Sequence, residues 1–142
     1  MEKYIPKIIS VSPDRIIPYH FVLSVKKELI EDYKRGNYIP PIPIISAPKE
    51  FRKEGDYINY NGHHRTLAAK LAKVFPLCIL LDNWEDIEYL IKNPPIWNGQ
   101  IYPELIEGLE KNFEAHKNFI ISEAKRLKDL RRIANEKRIN IN

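Results

Sequence analysis

Apolar positions along the chain change period several times, and each change marks an element. Tyr4 to Val11 carries Ile5, Ile8, Ile9 and Val11 and predicts a first strand, which Pro6 confines to a sheet edge or a late start. Ser12-Pro13-Asp14 predicts a turn, and Arg15 to Phe21 has no settled period, with Pro18 breaking any helix through it. From Val25 to Arg35 the period becomes helical: Leu29, Ile30 and Tyr33 share a face, Ser24 suits the N-cap and Gly36 the stop. Pro40, Pro41 and Pro43 keep the next stretch extended into Ile42 to Ser46, an apolar strand expected at an edge or beginning after the prolines.

Lys49 to Gly55 reads as a charged, hairpin-like loop leading into Asp56 to Tyr60, where polar and apolar residues alternate as in a strand. The segment Thr66 to Lys73, rich in Ala, Leu and Lys, predicts a helix. Phe75 to Leu81 is apolar on both faces and predicts a buried strand. Asn83 with Asp86 three residues on is an N-capping pattern for a helix through Ile91. Asn93 to Tyr102, with two prolines, Gly99 and Trp97, reads as a loop whose Trp97 either pins it to the core or touches a ligand. Pro103 suits the first turn of a long helix, along which Ile106, Phe113, Ile120, Leu127 and Ala134 recur at seven. Leu109 and Leu130 hold companion positions that His116 and Glu123 interrupt, so the stripe suits packing on the domain or a homodimer seam.

These elements predict an α/β (α+β) fold, a small mixed sheet with flanking helices and a C-terminal helix or helix pair. The expected organisation is a domain over 1–92, a loop over 93–102 and a helical extension over 103–142. A length of 142 residues, 44% of them apolar, suits one globular domain with a real core. A single cysteine excludes a disulfide framework and a Cys-rich zinc site. No run of apolar residues is long enough for export or membrane spanning, so a soluble cytoplasmic protein is expected. The net charge of +4 is concentrated: the seven Lys and Arg after Ile121 exceed the acids there by four. Among them Lys125, Arg126, Lys128, Arg131 and Arg132 are candidates to meet nucleic acid.

The candidate chemistry lies at Asn61-Gly62-His63-His64-Arg65-Thr66, where a strand runs through one glycine into a helix N-terminus. Free backbone N–H groups and the helix dipole there favour an anion, and a glycine lets it come close. Arg65 adds a fork suited to phosphate, and a cation in the first helical turn is best explained by a bound anion. His63 and His64 can donate hydrogen bonds or move a proton near neutral pH, though neighbours on a turn point apart and are poor joint metal ligands. Thr66 either donates to the ligand or bonds back to the helix, and Tyr19, His20, Tyr57 and Tyr60 are candidates to line a base pocket.

The succession from Tyr4 to Trp84, a little over half the chain, resembles the ParB and sulfiredoxin superfamily: strand, glycine-closed helix, Pro-Pro-Ile-Pro-Ile strand, hairpin, strand, Asn-Gly-His-His-Arg, helix, strand. In its members the glycine turn matching Gly62 to Arg65 approaches the phosphates of a nucleotide. His63 stands where sulfiredoxin has its reactive cysteine, and Cys78 lies in an apolar strand, which argues against sulfiredoxin chemistry. Gly62 and Arg65 match the Gly-Glu-Arg-Arg of ParB partition proteins, whereas His63 and His64 do not. The motif is most similar to the Asp-Gly-His-His-Arg variety of free-serine kinases and nuclease-like ParB domains, with Asn61 in place of the aspartate. An amide neither holds a metal well nor takes a proton, so Asp56, Glu54 or Asp82 would have to supply the carboxylate.

The resemblance implies a nucleotide ligand (ATP, ADP or CTP), with Mg²⁺, and hydrolysis or phosphoryl transfer using His63, His64 and Arg65. The alternatives are a DNA-binding or nuclease protein and a non-enzymatic interaction protein acting through its C-terminal helix.

Overall fold

The computed structural model describes residues 4–104, 112–128 and 140–142. Five strands form a mixed sheet in the order β1 (Ile8–Ser10), β6 (Leu77–Leu80), β4 (Ile42–Ser46), β5 (Tyr57–Asn59), β2 (Ile16–Ile17). Strand β4 runs parallel to β6 and antiparallel to β5, while β1 joins β6 antiparallel and β2 joins β5 parallel. The fold is α/β, as its pattern predicts.

Both faces of the sheet are covered. Ile45, Ile58, Ile79 and Leu81 pack under Ile87 and Leu90 of α3 (Trp84–Lys92) and Phe113, Ile120 and Ala124 of α4 (Phe113–Lys128). Phe113 and Ile120 of the C-terminal stripe thus pack into the core beneath the sheet; Ile106, Leu109, Leu130 and Ala134 lie outside the described residues. On the opposite face Ile42, Ile44 and Cys78 are fully buried, and Tyr33 of α1 (Lys27–Arg35) and Arg65 of α2 (His63–Ala72) come within electrostatic reach of Cys78. Burial pushes that thiol up to about 12, so it is inert.

Pro43 is not at an edge: β4 is the central strand. Its carbonyl accepts from Tyr60 N–H at 2.9 Å, as the ladder requires, but a proline offers no N–H in return. The Tyr60 carbonyl takes the Tyr19 hydroxyl instead, at 3.3 Å, and that substitute donor lets a proline occupy mid-sheet. The strand expected over Phe75 to Leu81 is buried only in part, since Phe75 and Leu77 are exposed at its start. The Asn83–Asp86 capping box forms, with each side chain 3.1 Å from the other residue's backbone nitrogen.

Ser24 is not the N-cap of α1. Ser24–Val25 form a strand, β3, which pairs in parallel with β9 (Asn140–Ile141). Lys26 takes the cap position without a side-chain bond, and the free N–H of Lys27 donates to the Asn142 carbonyl at 2.6 Å. Main-chain pairing thus replaces the expected hydroxyl. At the other end Gly36 adopts φ +71° and closes the helix as expected. The loop expected over 93–102 holds a two-stranded hairpin, β7 (Ile96–Trp97) and β8 (Gln100–Ile101), which turns through Asn98 and Gly99, both at positive φ. An Asn-Gly pair is the strongest short-range hairpin signal, and here it outweighs the flanking prolines.

Removing residues 140–142 leaves Lys27 N–H without its acceptor. Hydrogen exchange at Val25, Lys27 and the first turn of α1 should accelerate on truncation, while β4 amides stay protected; unchanged exchange would show that the cap contributes nothing.

Candidate functional site

The turn between β5 and α2 is built by side chains that close on it from several elements. Asn61 Oδ1 accepts from Gly62 N–H at 2.8 Å, and its amide nitrogen donates to the Glu104 carbonyl at 3.0 Å. Thr66 uses its hydroxyl inside the turn, donating to the Gly62 carbonyl at 3.1 Å and accepting from Asn59 at 2.8 Å, so it bonds back to the helix. Asn61 and Thr66 shape the turn.

Arg65 points inward. It is 2% exposed, and its guanidinium closes as a fork on Glu104, Nη2 to Oε1 at 2.6 Å and Nη1 to Oε2 at 2.9 Å. Nη1 also donates to the Pro40 and Pro41 carbonyls at 3.0 and 3.1 Å, and the Tyr102 ring centre lies 5.1 Å from Cζ. The cation expected to be held ready for phosphate has its charge met by a buried carboxylate. Burial pushes the Glu104 carboxyl above its ordinary value, and the guanidinium opposes that rise. Gly62 is explained by the same contact. It sits at φ +78°, and a Cβ there would lie 3.0 to 3.1 Å from the guanidinium. The glycine admits the arginine.

His63 is the first residue of α2 and 5% exposed. Its Nε2 accepts the Tyr19 N–H at 3.1 Å, so in the neutral ring Nδ1 carries the proton and has no acceptor among the described residues. Burial, followed by the nearby His20 and His64, lowers its pKa to about 3. The His20 ring lies against it, tilted by 34°, with centroids 3.7 Å apart. His64 is exposed.

The N-terminus of α2 opens into a cleft of about 870 Å³. One wall is α1 with its cap, contributing Lys26, Glu28 and Asp32; the other is the β7–β8 hairpin with Trp97, Gln100 and Tyr102. The backbone N–H groups of His63, His64 and Arg65 have no acceptor among the described residues, as first-turn N–H groups lack one within a helix. Gly62, His63, His64 and His20 also border the cleft. Its charged side chains leave a small negative excess, because Lys26 borders it with Glu28 and Asp32 while Arg65 is neutralised by Glu104. Attraction for an anion rests on oriented N–H dipoles, not on net charge.

No protein-family model matches this chain, nor does any curated protein.

Of the other aromatic candidates, Tyr60 is core, Tyr57 packs beside the β4 isoleucines, and Tyr19 holds His63; none borders the cleft. The expected carboxylates also lie elsewhere. Asp56 pairs with Arg15 at 3.1 Å, Glu54 with Lys128 at 2.9 Å, and Asp82 accepts from Ser46. Among the described residues no group of three or more His, Cys, Asp or Glu side chains is placed to hold a metal. On α4, Lys125 pairs with Glu50, Arg126 with Glu123 and Lys128 with Glu54, so these cations are already met by acids; Arg131 and Arg132 lie outside the described residues. No described helix is long and apolar enough to cross a membrane.

Glu104 and the hairpin wall are what sequence reasoning misses. Nothing local ties a glutamate after Pro103 to an arginine 39 residues earlier. The Asn98-Gly99 pair was the available signal for the hairpin.

Two predictions follow from this geometry. Removing one partner of the buried pair (Arg65→Ala or Glu104→Ala) should cost about 3–5 kcal/mol in urea unfolding. The double variant should cost clearly less than the two single losses combined, and additive losses would show that the groups do not interact. The His63 pKa is depressed on folding, so the unfolded chain binds a proton more readily below pH 6.5. The stability that neutral His63 contributes should be complete above that pH and be lost as pH falls toward 3, at up to about 1.4 kcal/mol per pH unit. His116 is lowered by burial as well and acts in the same direction. His63→Asn should flatten the dependence; an unchanged slope would assign it to other groups.

Proposed function

We propose that the chain is a nucleotide-binding domain of the ParB and sulfiredoxin type that seats a phosphate group at the N-terminus of α2. One observation carries this reading. The N–H groups of His63, His64 and Arg65, without an acceptor among the described residues, lie at a helix end that borders the cleft, and the buried imidazole of His63 borders the same cleft. Four neutral donors around a helix N-terminus suit a phosphate oxygen cluster, and the dipole favours its charge. The succession of strands around the Asn-Gly-His-His-Arg turn supports the family assignment.

The roles expected of the motif divide. His63 is a fixed donor and Arg65 builds the turn, so neither moves protons near neutral pH. His64, exposed at the same helix end, is the group available for proton transfer if the domain hydrolyses or transfers a phosphoryl group. Mg²⁺ brought in with the phosphates would be held through Glu28 and Asp32, one turn apart on α1, and would offset their charge and that of the phosphates.

A carboxylate placed at the helix end tests the seat without touching the fold, because an acid in the first turn is compatible with the dipole. His64→Glu should keep or raise the melting temperature and weaken ATP or CTP binding by tenfold or more in calorimetry with Mg²⁺. Equal affinity in the variant, or no nucleotide bound by the wild type, would overturn the proposal.

A further inference from the structure

We infer that the β7–β8 hairpin is the element that reads the nucleobase, with Trp97 as the stacking platform and Gln100 as the hydrogen-bonding edge. The inference rests on the nucleotide reading above and assigns the other half of the ligand.

The hairpin is built inside out. Trp97 and Gln100 are directly paired across its two strands, as are Ile96 and Ile101. Directly paired residues share a face, and neighbours along a strand take opposite faces. Trp97 and Gln100 border the cleft, whereas Ile96 and Ile101 are 62% and 67% exposed on the outer side. A hairpin that served only packing would turn its isoleucines inward. This one exposes them and gives its inner face to an aromatic ring and an amide.

The inner face is also held in position. Asn98 and Gly99 both take positive φ, the conformation of a two-residue turn matched to strand twist, and this pins the pairing register. The Tyr102 N–H donates to the Pro95 carbonyl at 2.8 Å and closes the base of the hairpin. The Tyr102 ring then braces Trp97 edge-on at 5.1 Å, with its own position fixed over Arg65. Trp97 stays half-buried, and the Gln100 amide has no partner among the described residues. A rigid ring beside an unused amide matches what a base presents, a π-face and a donor–acceptor edge. The phosphate seat lies at the α2 end of the same cleft, so one ligand can meet both.

Calorimetry on the full chain with Mg²⁺ should compare inorganic tripolyphosphate with ATP, GTP, CTP and UTP. The base should improve binding over tripolyphosphate by about tenfold or more, the scale of one base–aromatic stack. Trp97→Ala should abolish that advantage and leave tripolyphosphate affinity unchanged, and Gln100→Glu should reorder the four nucleotides. With Trp84→Phe as background, Trp97 is the only tryptophan. Its fluorescence should then be quenched by nucleotide but not by tripolyphosphate, a readout that survives a poorly folding Trp97→Ala. Nucleotide binding unaffected by Trp97→Ala, no reordering by Gln100→Glu or quenching by tripolyphosphate alone would overturn the inference and leave the phosphate seat standing. Failure of every anion to bind would overturn both.

Discussion

The buried pair of Arg65 and Glu104 is the constraint on which the candidate site depends. A guanidinium inside a protein needs its charge and most of its five donors satisfied, and this one takes two oxygens of Glu104 and two prolyl carbonyls to do so. Those acceptors come from distant segments. The Pro40-Pro41 stretch leads into the central strand, and Glu104 follows the hairpin. By gathering them, Arg65 fixes the start of α2 against the sheet and the hairpin against α2. The cleft is the space left between the hairpin, α1 and the end of α2.

This arrangement changes what the Gly-His-His-Arg run means physically. Read along the chain, glycine and arginine both suggest a phosphate cradle. In the fold they meet each other: glycine is needed because the guanidinium lies where a Cβ would be. The helix end itself presents groups without formal charge to the cleft, three backbone N–H groups beside one imidazole kept neutral by burial. Under the proposed phosphate seat, such donors would act through geometry and dipole, more selective in position than a mobile lysine and less sensitive to pH near neutrality.

Tolerance of irregular features follows a common logic. Proline in the centre of a sheet and a helix without a capping side chain each leave one backbone group without its usual partner. The Tyr19 hydroxyl supplies the first and the Asn142 carbonyl the second. Tyr19 has two tasks, since its backbone N–H also fixes the tautomer of His63. The segment with no readable period, Arg15 to Phe21, therefore turns out to brace both the sheet and the site.

Elements whose signals are local can be read directly along the chain. The capping box at Asn83 and Asp86, the glycine stop at Gly36, the β5–α2 junction and the α/β class are each set by residues within a few positions of one another, where periodicity and caps act. The alternation from Asp56 to Tyr60 and the helical stripe through Phe113, Ile120 and Leu127 likewise locate their buried faces. What the tertiary structure decided are pairings over long separations. Arg65 with Glu104, Tyr60 with Tyr19, and Lys27 with Asn142 are chosen by proximity after folding, and no local preference encodes them. The same residue type at the same helix end can present a charge to a ligand or spend it on a buried partner. Which it does depends on whether a carboxylate arrives from elsewhere in the chain, and here Glu104 does.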